Sequence, residues 1–409
     1  MQRIRTSLPY LKEFGWETTV ISVKPKFTEV TQDELLLKTV PEEIRLIEVE
    51  AWSTKWTRKF GLGAIGIRSM PYYKKTVDQL LQKEKFDLIY FSTTQFPVLA
   101  LGNHWKKKFQ IPYVIDLQDP WICDFYENKP AAERPKKYWF AKIINHWLEP
   151  IAMKRCGGII AVSESYINET IQRHPHLNTI PTQTITFGAY PLDLKIAQEN
   201  LANHPSVLNK QTGEIAVGYI GRGGYDMYDA LTILFKAFKQ GLESNPNLFS
   251  RIKFYFLGTS YAKEGNGIPT IFPLAQEMGV EKHVVEQTDR IPFYQTLNTL
   301  MDFDALFICG SNDPRYTASK IYPYINTGRP LLSVFHRESS ASQIIEECKA
   351  GTVIHFDCPE QEQIGKILAF LSHIDEQIPE TDHLAFEKYT AREMTKQQCL
   401  LFEKVLDTK

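Results

Sequence analysis

The chain has 409 residues, of which 43% are apolar and 23% charged, a composition typical of soluble globular proteins. A single core seldom grows beyond about 250–300 residues, so this length predicts two domains. No stretch approaches the ~18 uninterrupted apolar residues of a membrane span, and the first residues lack a signal-peptide pattern, so we expect a cytoplasmic protein.

The cysteines and the charges narrow the class of protein further. Six cysteines are scattered without a C-x-x-C pair, which indicates reduced thiols and neither disulfides nor zinc. Residues 1–210 contain 28 Lys and Arg against 22 Asp and Glu, and residues 51–110 alone contain 11 against 3. This basic half favours an anionic partner such as a membrane surface, although a merely solvated surface has the same composition. Nucleic acid is disfavoured, because the basic stripe is short and the pI is about 6.8.

The first motif along the chain is FGLGAIGIR (60–68), in which Gly61, Gly63 and Gly66 match the spelling G-x-G-x-x-G. That motif binds a dinucleotide only where a buried strand precedes the glycines and a helix begins on them. The preceding residues lack an apolar run, and Pro71 falls where the helix should be in its second turn, so we expect it to break the helix. We interpret this stretch as a glycine loop, and we reject a dehydrogenase.

Short apolar runs alternate with amphipathic stretches along most of the chain, which predicts an α/β fold with parallel sheets. A polar segment at 196–212 separates two series, so we expect two doubly wound, Rossmann-like domains at 1–206 and 207–383, followed by a long amphipathic helix at 384–409. Helices are predicted at 72–85, 95–109 and 137–155. The predicted strands are 17–23, 44–50, 86–92, 111–117, 157–163 and 182–188, then 214–221, 251–258, 282–287, 303–310, 329–335 and 351–357.

The second series begins with a strand, a glycine turn and a helix, in GEIAVGYIGRGGYDMYDALTILF. Gly221, Gly223 and Gly224 permit close approach of the backbone, and Arg222 adds a cation. Amide donors and the positive end of the helix dipole would then point to one place, which suits a diphosphate. A turn that only reverses the chain is the alternative.

A second candidate element is DPRYTASKIYPYINTGRPLLSVF (313–335). Thr317 or Ser319 is expected to cap its helix, with Lys320 in the first turn. A cation there opposes the helix dipole, and a bound anion would explain it, so we predict that Lys320 contacts phosphate.

The next loop, HRESSASQII, ends in another helix that Ser339 or Ser340 is expected to cap. Glu338 follows a predicted strand and could accept hydrogen bonds from the hydroxyls of a ribose or sugar. As a lone acid it is equally well explained as a solvated loop residue.

These segments together resemble a GT-B-fold, family-4-type glycosyltransferase over nearly the whole chain. The stretch FSTTQFPVLALGNHWKKKFQIPYVIDLQDPW (91–121) is similar to the bacterial branch with a D-x-x-D-P-W signature. The resemblance implies two Rossmann-like domains facing across a cleft, with the terminal helix returning to the N-terminal domain. The other matching segments are LPYLKEFGWETTVIS, CGGIIAVSESY, TITFGAYPLD, VGYIGRGG, FLGTS, DRIPFYQTLNTLMDFDALFI and SKIYPYINTGRPLL.

Two departures from the family pattern matter for activity. The family usually has two glutamates separated by seven residues in the donor site, and the corresponding positions here are Arg315 and Pro323. In addition, the chain opens with a helix followed by a strand, so the family's first strand and its glycine loop are expected to be missing.

The resemblance implies a retaining transfer of a sugar from a nucleotide-diphosphate sugar, without a metal or other cofactor. The leaving diphosphate would be stabilised by positive groups, for which the candidates are Arg222, Lys320 and the amides of Gly221–Gly224. Arg290 is a lesser candidate for the diphosphate. The donor site would also include Ser319, Glu338 and Ser339.

On the acceptor side the resemblance implies a role for the IDLQDPW segment. Asp119 is the candidate that orients or deprotonates an acceptor hydroxyl, Asp116 is expected to be structural, and Gln118 and Trp121 would line the acceptor side. The acceptor would be a glycan or a lipid-linked molecule in surface polysaccharide synthesis. The basic, aromatic segment 51–110 would then place the enzyme at the inner face of the membrane.

Two other functions remain open at this stage. A catalytically degenerate GT-B protein acting as a partner or scaffold would explain the missing glutamates and the missing first turn. A nucleotide-sugar epimerase shares the fold, but it would not explain the basic, aromatic acceptor half.

Overall fold

A computed structural model describes residues 2–28, 33–122, 138–314, 316–376 and 379–407. Arg315 and Cys123 therefore lie outside the described residues. The five described cysteines are all free, as expected for reduced thiols.

All twelve predicted strands form, each within its predicted range. They are β1 (Thr19–Val23), β2 (Arg45–Val49), β3 (Ile89–Ser92), β4 (Tyr113–Leu117), β5 (Gly158–Ala161), β6 (Thr182–Thr184), β7 (Ile215–Ile220), β8 (Ile252–Leu257), β9 (Val284–Gln287), β10 (Ala305–Cys309), β11 (Leu331–Phe335) and β12 (Thr352–His355).

The α-helices occupy most of the intervals between strands. They are α1 (Gln2–Leu11), α2 (Thr54–Thr57), α3 (Ile65–Lys83), α4 (Ala100–Phe109), α5 (Tyr138–Met153), α6 (Glu164–Arg173), α7 (Pro191–Glu199), α8 (Tyr228–Ser244), α9 (Pro246–Phe249), α10 (Phe272–Met278), α11 (Phe293–Asp302), α12 (Ile321–Asn326), α13 (Ser340–Glu347), α14 (Glu360–Ser372), α15 (His383–Glu387) and α16 (Ala391–Asp407). In the described ranges, no helix combines the length and the apolar character needed to cross a bilayer.

The chain forms two compact units. The first consists of Met1–Phe187 and Ala391–Lys409, and the second of Gly188–Thr390. The division therefore falls at Phe187, whereas the polar segment had suggested residue 206. The α7 helix belongs to the second unit because it packs on α11, where Asn298 donates to the carbonyl of Ala197 at 3.0 Å.

The second unit has one parallel six-stranded sheet in the order β12-β11-β10-β7-β8-β9. The chain builds outward from β7 to β9 and then returns to the other side of β7 with β10. In such sheets the carboxyl ends of the two strands at this reversal form a crevice where ligands bind. The topology thus points to the residues that follow β7 and β10.

The core of the second unit lies between this sheet and α8. The apolar positions predicted on α8, Leu231, Leu234, Phe235 and Phe238, are all fully buried. Apolar side chains at this spacing form one face of a helix, so their burial fixes α8 against the sheet.

The described residues of the first unit form two parallel sheets, a pair β1-β2 and a four-stranded sheet β3-β4-β5-β6. Its core lies around β4 and β5, whose residues are buried throughout. The terminal α16 packs against α1 within this unit, and the side chains of Gln398 and Ser7 are hydrogen-bonded at 3.0 Å.

Two predictions about helices were wrong. Pro71 does not break the helix after the glycine loop, because α3 runs from Ile65 through Pro71 to Lys83. Its ring is on the exposed face of α3, while Gly66 and Ser69 are buried, so packing of the helix outweighs the missing hydrogen bond. The predicted helix 384–409 is divided into α15 and α16 at Lys388–Thr390.

Candidate functional site

The candidate donor site lies where the topology of the second unit predicts it, at the carboxyl ends of β7 and β10. Gly221 follows β7, and the loop after β10 leads to Lys320 and α12. The hydroxyl of the buried Tyr324 on α12 accepts from the amide of Ile220 at 2.8 Å. This bond fixes α12 against the end of β7.

Lys320 is held beside the glycine turn by Tyr219, the penultimate residue of β7. The Lys320 amine donates to the Tyr219 hydroxyl at 2.6 Å, and that hydroxyl donates to the carbonyl of Arg222 at 2.8 Å. The amine lies so close to Gly221 that a β-carbon there would collide with it. The φ of this glycine is +154°, which favours glycine, and a β-carbon here would in addition displace the lysine amine.

The electrostatic environment of Lys320 is positive. Burial, together with the charges of Arg222 and Arg290, lowers the pKa of its amine to about 8. Among the described residues, no carboxylate forms an ion pair with Lys320. A cation held among other cations without an acid is a candidate anion site.

Arg222 differs from Lys320 because it has an acidic partner. Its guanidinium forms two hydrogen bonds with Asp226, at 2.9 and 2.6 Å. These bonds raise the pKa of Arg222, so its charge is constant but already partly neutralised.

The amides of the glycine turn are less available to a phosphate than the sequence predicted. The amides of Gly221 and Gly223 donate to the carbonyls of Leu257 and Thr259, both at 2.9 Å, and so continue the pairing of β7 with β8. They are not free for a phosphate. No acceptor for the Gly224 amide occurs among the described residues, so this is the glycine donor that remains available.

The predicted cap of α12 is wrong. Lys320 itself is the N-cap residue, without a side-chain cap, and Ser319 is exposed beside it. Because α12 has only six residues, its dipole provides little support for an anion. Arg290 is exposed, and its guanidinium lies 4.6 Å from the ring centre of Tyr261.

In the loop after β11, Ser339 caps a helix, whereas Glu338 is exposed. Ser339 is fully buried and caps α13, accepting from the amide of Ser342 at 3.2 Å. Its hydroxyl therefore serves the helix. Glu338 is exposed at the carboxyl end of the sheet, with its side chain free of hydrogen bonds to described residues.

In the first unit the IDLQDPW segment ends β4 in a buried polar cluster. Asp116 is fully buried and forms an ion pair with Arg3 at 2.8 Å. The same carboxylate oxygen accepts from Ser92 at 3.1 Å and from Gln118 at 2.7 Å. The other oxygen, Oδ1, is buried without a hydrogen-bond partner in the described structure. Asp116 thus has the structural surroundings expected for it.

The three remaining acceptor-side residues have different surroundings. Gln118 is buried and turned inward to Asp116, and Trp121 is buried with its ring stacked on Phe96 at 5.3 Å. Neither offers an acceptor much surface. Asp119 is exposed as a residue, while neighbouring groups partly desolvate its carboxyl and so raise the pKa of that group. It is the residue of this segment that could reach a bound hydroxyl.

One cluster among the described residues has the donor atoms for a metal. The side-chain donors of His355, Asp357 and Cys358 lie within 4.8 Å of one another. Arg337, however, donates to both oxygens of Asp357 at 2.9 and 3.1 Å, which places a cation where the metal would bind.

Sequence reasoning missed the residues that hold the site together. Tyr219 and Tyr324 lie inside a strand and a helix, where their spacing indicates only burial. Asp226 is four residues after Arg222, and that spacing could have predicted the ion pair.

Comparison with known proteins agrees with this architecture. Residues 4–182 match the family described as Glycosyltransferase Family 4. No curated protein matches the chain.

Several solved structures are similar over nearly the whole chain. HepE from Anabaena in complex with UDP has 15% identity and a TM-score of 0.54, covering 98% of this chain and 94% of that one. A glycosyltransferase from Rickettsia africae has 12% identity and a TM-score of 0.58, covering 99% and 94%. The UDP-forming α,α-trehalose-phosphate synthase from Burkholderia xenovorans has 10% identity and a TM-score of 0.56, covering 95% and 99%. The chain therefore has the GT-B fold of two Rossmann-like domains, and its residues 4–182 are similar to Glycosyltransferase Family 4.

Proposed function

We propose that the protein is a retaining glycosyltransferase that moves a hexose-type sugar from a nucleotide-diphosphate sugar to a glycan or lipid-linked acceptor. The observation that carries the proposal is Lys320, a cation held by Tyr219 at the switch point of the second sheet, beside Gly221. The match to Glycosyltransferase Family 4 and the similarity to a UDP complex of HepE support the same reading.

In the proposed reaction, the bond between the anomeric carbon and the diphosphate oxygen breaks as the acceptor oxygen attacks. Negative charge grows on the leaving diphosphate, and a preorganised cation stabilises it. Lys320 is the principal candidate, and Arg290 and the Gly224 amide are further candidates. The departing phosphate can accept the acceptor's proton, so a protein base is not obligatory, and a metal is not needed where these positive groups carry the charge.

On the acceptor side we assign the polar contact to Asp119, which is exposed and has a raised pKa. A carboxyl of this kind can orient the acceptor hydroxyl or, in place of the departing phosphate, take up its proton. The acceptor is a membrane-linked or surface glycan in this proposal, because residues 51–110 are strongly basic. The protein would then work at the cytoplasmic face of a membrane, in polysaccharide synthesis.

Calorimetric titration with UDP and GDP tests the donor site. Lys320→Ala is expected to weaken binding of the preferred nucleotide by about 1.5–3 kcal/mol, the contribution of a charge-assisted hydrogen bond. Lys366→Ala, which removes a surface lysine of α14, is the matched control and should bind as the unmodified protein does. Equal affinity in both variants would remove the basis of the proposal.

A catalytically degenerate GT-B protein is the second candidate. The pairing of Arg222 with Asp226 and the occupied amides of Gly221 and Gly223 favour it, since fewer groups are free for phosphate. Pro323 in place of a glutamate adds to this. Such a protein would bind UDP or GDP weakly and release no nucleotide from UDP-sugars in the presence of acceptor glycans, whereas an epimerase would convert the sugar without any acceptor.

A further inference from the structure

An unusual apolar surface lies on the first unit. The α5 helix carries Trp139, Ile143 and Trp147 at spacings of four residues, with 64%, 58% and 67% of their surface exposed. The opposite face of the helix, including Leu148 and Ala152, is buried in the core. A helix on a protein surface normally presents polar side chains to water, so a helix that is apolar on both faces indicates a partner.

Two further aromatic side chains extend this surface. Trp56 and Phe60 are 70% and 72% exposed. Their segment meets the start of α5 at Gly61, where a β-carbon would lie 2.9 Å from the ring of Phe140. Phe140 in turn contacts the ring of Trp139 at 5.6 Å. We call Trp56, Phe60, Trp139, Ile143 and Trp147 together the aromatic surface.

The segment that carries Trp56 and Phe60 is hydrogen-bonded to the buried side chain of Arg68. Arg68 is 3% exposed, and its guanidinium donates to the carbonyls of Gly63, Trp52 and Phe27 at 3.0, 2.7 and 3.0 Å. These bonds tie both ends of the segment to α3. The backbone of the segment that carries Trp56 and Phe60 is therefore held in place by the fold.

The charges around the aromatic surface are positive. Besides the buried Arg68, residues 51–77 contain five exposed Lys and Arg and no Asp or Glu, although Lys74 is paired with Asp78. Residues 138–148 contain Lys142 and no acid. The Lys59 amine lies 5.4 Å from the ring centre of Trp56. Tryptophan favours the polar boundary of a bilayer, and lysine beside it interacts with anionic headgroups.

We infer that the aromatic surface inserts into the headgroup region of an anionic lipid bilayer. This inference deepens the membrane part of the proposed function and rests on it for the location of the acceptor. A second copy of the chain fits less well, because a two-fold interface would place the basic surface of one copy against the same basic surface of the other. An anionic bilayer complements both the rings and the charges.

Vesicle flotation tests this surface directly. The probe is phosphatidylcholine vesicles containing about one third phosphatidylglycerol, compared with pure phosphatidylcholine. The unmodified protein should float with the anionic vesicles, and less so as salt increases. W139Q/W147Q should reduce the partition coefficient at least about tenfold, because the variant lacks two rings that would be buried in the bilayer. Both residues are exposed, so the variant should keep the thermal stability of the parent.

A matched control replaces two apolar residues of the second unit that are even more exposed. I268Q/L384Q removes side chains that are 78% and 82% exposed, and it should float like the unmodified protein. Equal flotation of W139Q/W147Q and the parent would overturn the inference. The inference would also be overturned if light scattering showed that the parent is a dimer and W139Q/W147Q a monomer, while neither protein floated with vesicles. The aromatic surface would then be an interface between two copies of the chain.

The result is separable from the donor site. UDP affinity, measured on W139Q/W147Q without vesicles, should be unchanged from the parent. If the protein floats with vesicles but binds no nucleotide, the membrane inference stands and the proposed glycosyltransferase function is wrong. If it binds nucleotide but does not float, the proposed function stands and the membrane inference is wrong.

Discussion

The amine of Lys320 lies 2.6 Å from the hydroxyl of Tyr219 and 4.1 Å from the centre of its ring. The same hydroxyl donates to the carbonyl of Arg222 in the glycine turn. One buried tyrosine therefore positions both the cation and the turn, and the strand β7 on which it lies is at the switch point of the sheet.

Removing this hydroxyl tests the arrangement. Tyr219→Phe leaves the Lys320 amine and the Arg222 carbonyl without their partner, and we expect a loss of about 1–3 kcal/mol in the free energy of unfolding. Nucleotide affinity should fall as well, because the amine is no longer held. Urea denaturation and calorimetry measure the two effects.

Tyr228→Phe is the matched control for that variant. Its hydroxyl donates to the carbonyl of Thr270 at 2.6 Å, so the change removes a comparable bond elsewhere in the same unit. It should lower stability without changing nucleotide affinity. If Tyr219→Phe behaves in the same way, the hydroxyl is structural only.

The lowered pKa of Lys320 predicts proton uptake on nucleotide binding. Burial holds the pKa at about 8, and a bound diphosphate favours the charged amine and raises that pKa. The protein should therefore take up protons when it binds UDP at about pH 8.5, and its affinity should decline as the pH rises above 8. Titrations in buffers of different ionisation enthalpy measure the uptake, which Lys320→Met should abolish.

The same group predicts a change in stability with pH. The unfolded chain has the ordinary lysine pKa of 10.5, above the folded value of about 8. Between these values the unfolded state binds more protons, so this lysine makes stability rise as the pH rises through that window. Urea denaturation across it should show a smaller rise for Lys320→Met. If the parent and Lys320→Met show the same dependence of unfolding free energy on pH, the Lys320 amine is solvated and not buried.

The ion pair of Arg222 with Asp226 predicts opposite effects of two substitutions. Asp226→Asn removes the neutralising charge and should tighten nucleotide binding several-fold, because Arg222 becomes available to phosphate. Arg222→Ala should weaken binding less than Lys320→Ala does, since its charge is already paired. Calorimetry on the three variants measures the order of their nucleotide affinities. Tighter binding by Asp226→Asn would show that Asp226 limits the access of Arg222 to phosphate.

The two glycine turns should respond differently to alanine. Gly61 has φ +78° and Phe140 against it, so Gly61→Ala should destabilise the protein by about 1–3 kcal/mol and leave nucleotide affinity unchanged. Gly221→Ala should displace the Lys320 amine and weaken nucleotide binding. If Gly61→Ala lost nucleotide affinity, the glycines of residues 60–68 would have to be reconsidered as a dinucleotide-binding motif.

The buried pair of Arg3 and Asp116 should dominate the stability of the first unit. Arg3→Ala leaves a buried carboxylate without its cation, and we expect a loss of about 3–5 kcal/mol. Asp116→Asn in the same background should recover part of that loss, since it removes the uncompensated charge. Denaturation of the single and double variants measures the coupling between the two residues.

The strands were predictable from the sequence because each depends on local composition. Runs such as EIAVGYIG are short, apolar and bounded by glycine, and every predicted strand forms. The glycine turn at Gly221 and the position of Lys320 could also be predicted, since both follow strands at the carboxyl edge of a parallel sheet.

The partners of the site residues depended on contacts distant in sequence. Lys320 is 101 residues from Tyr219, and Arg3 is 182 residues from the carbonyl of Ile185, so no local pattern relates them. Pro71 stays in a helix because its neighbours are buried. The composition of the chain fixes where strands form, while the packing of strands and helices decides which polar groups are satisfied inside the fold and which remain available to a ligand.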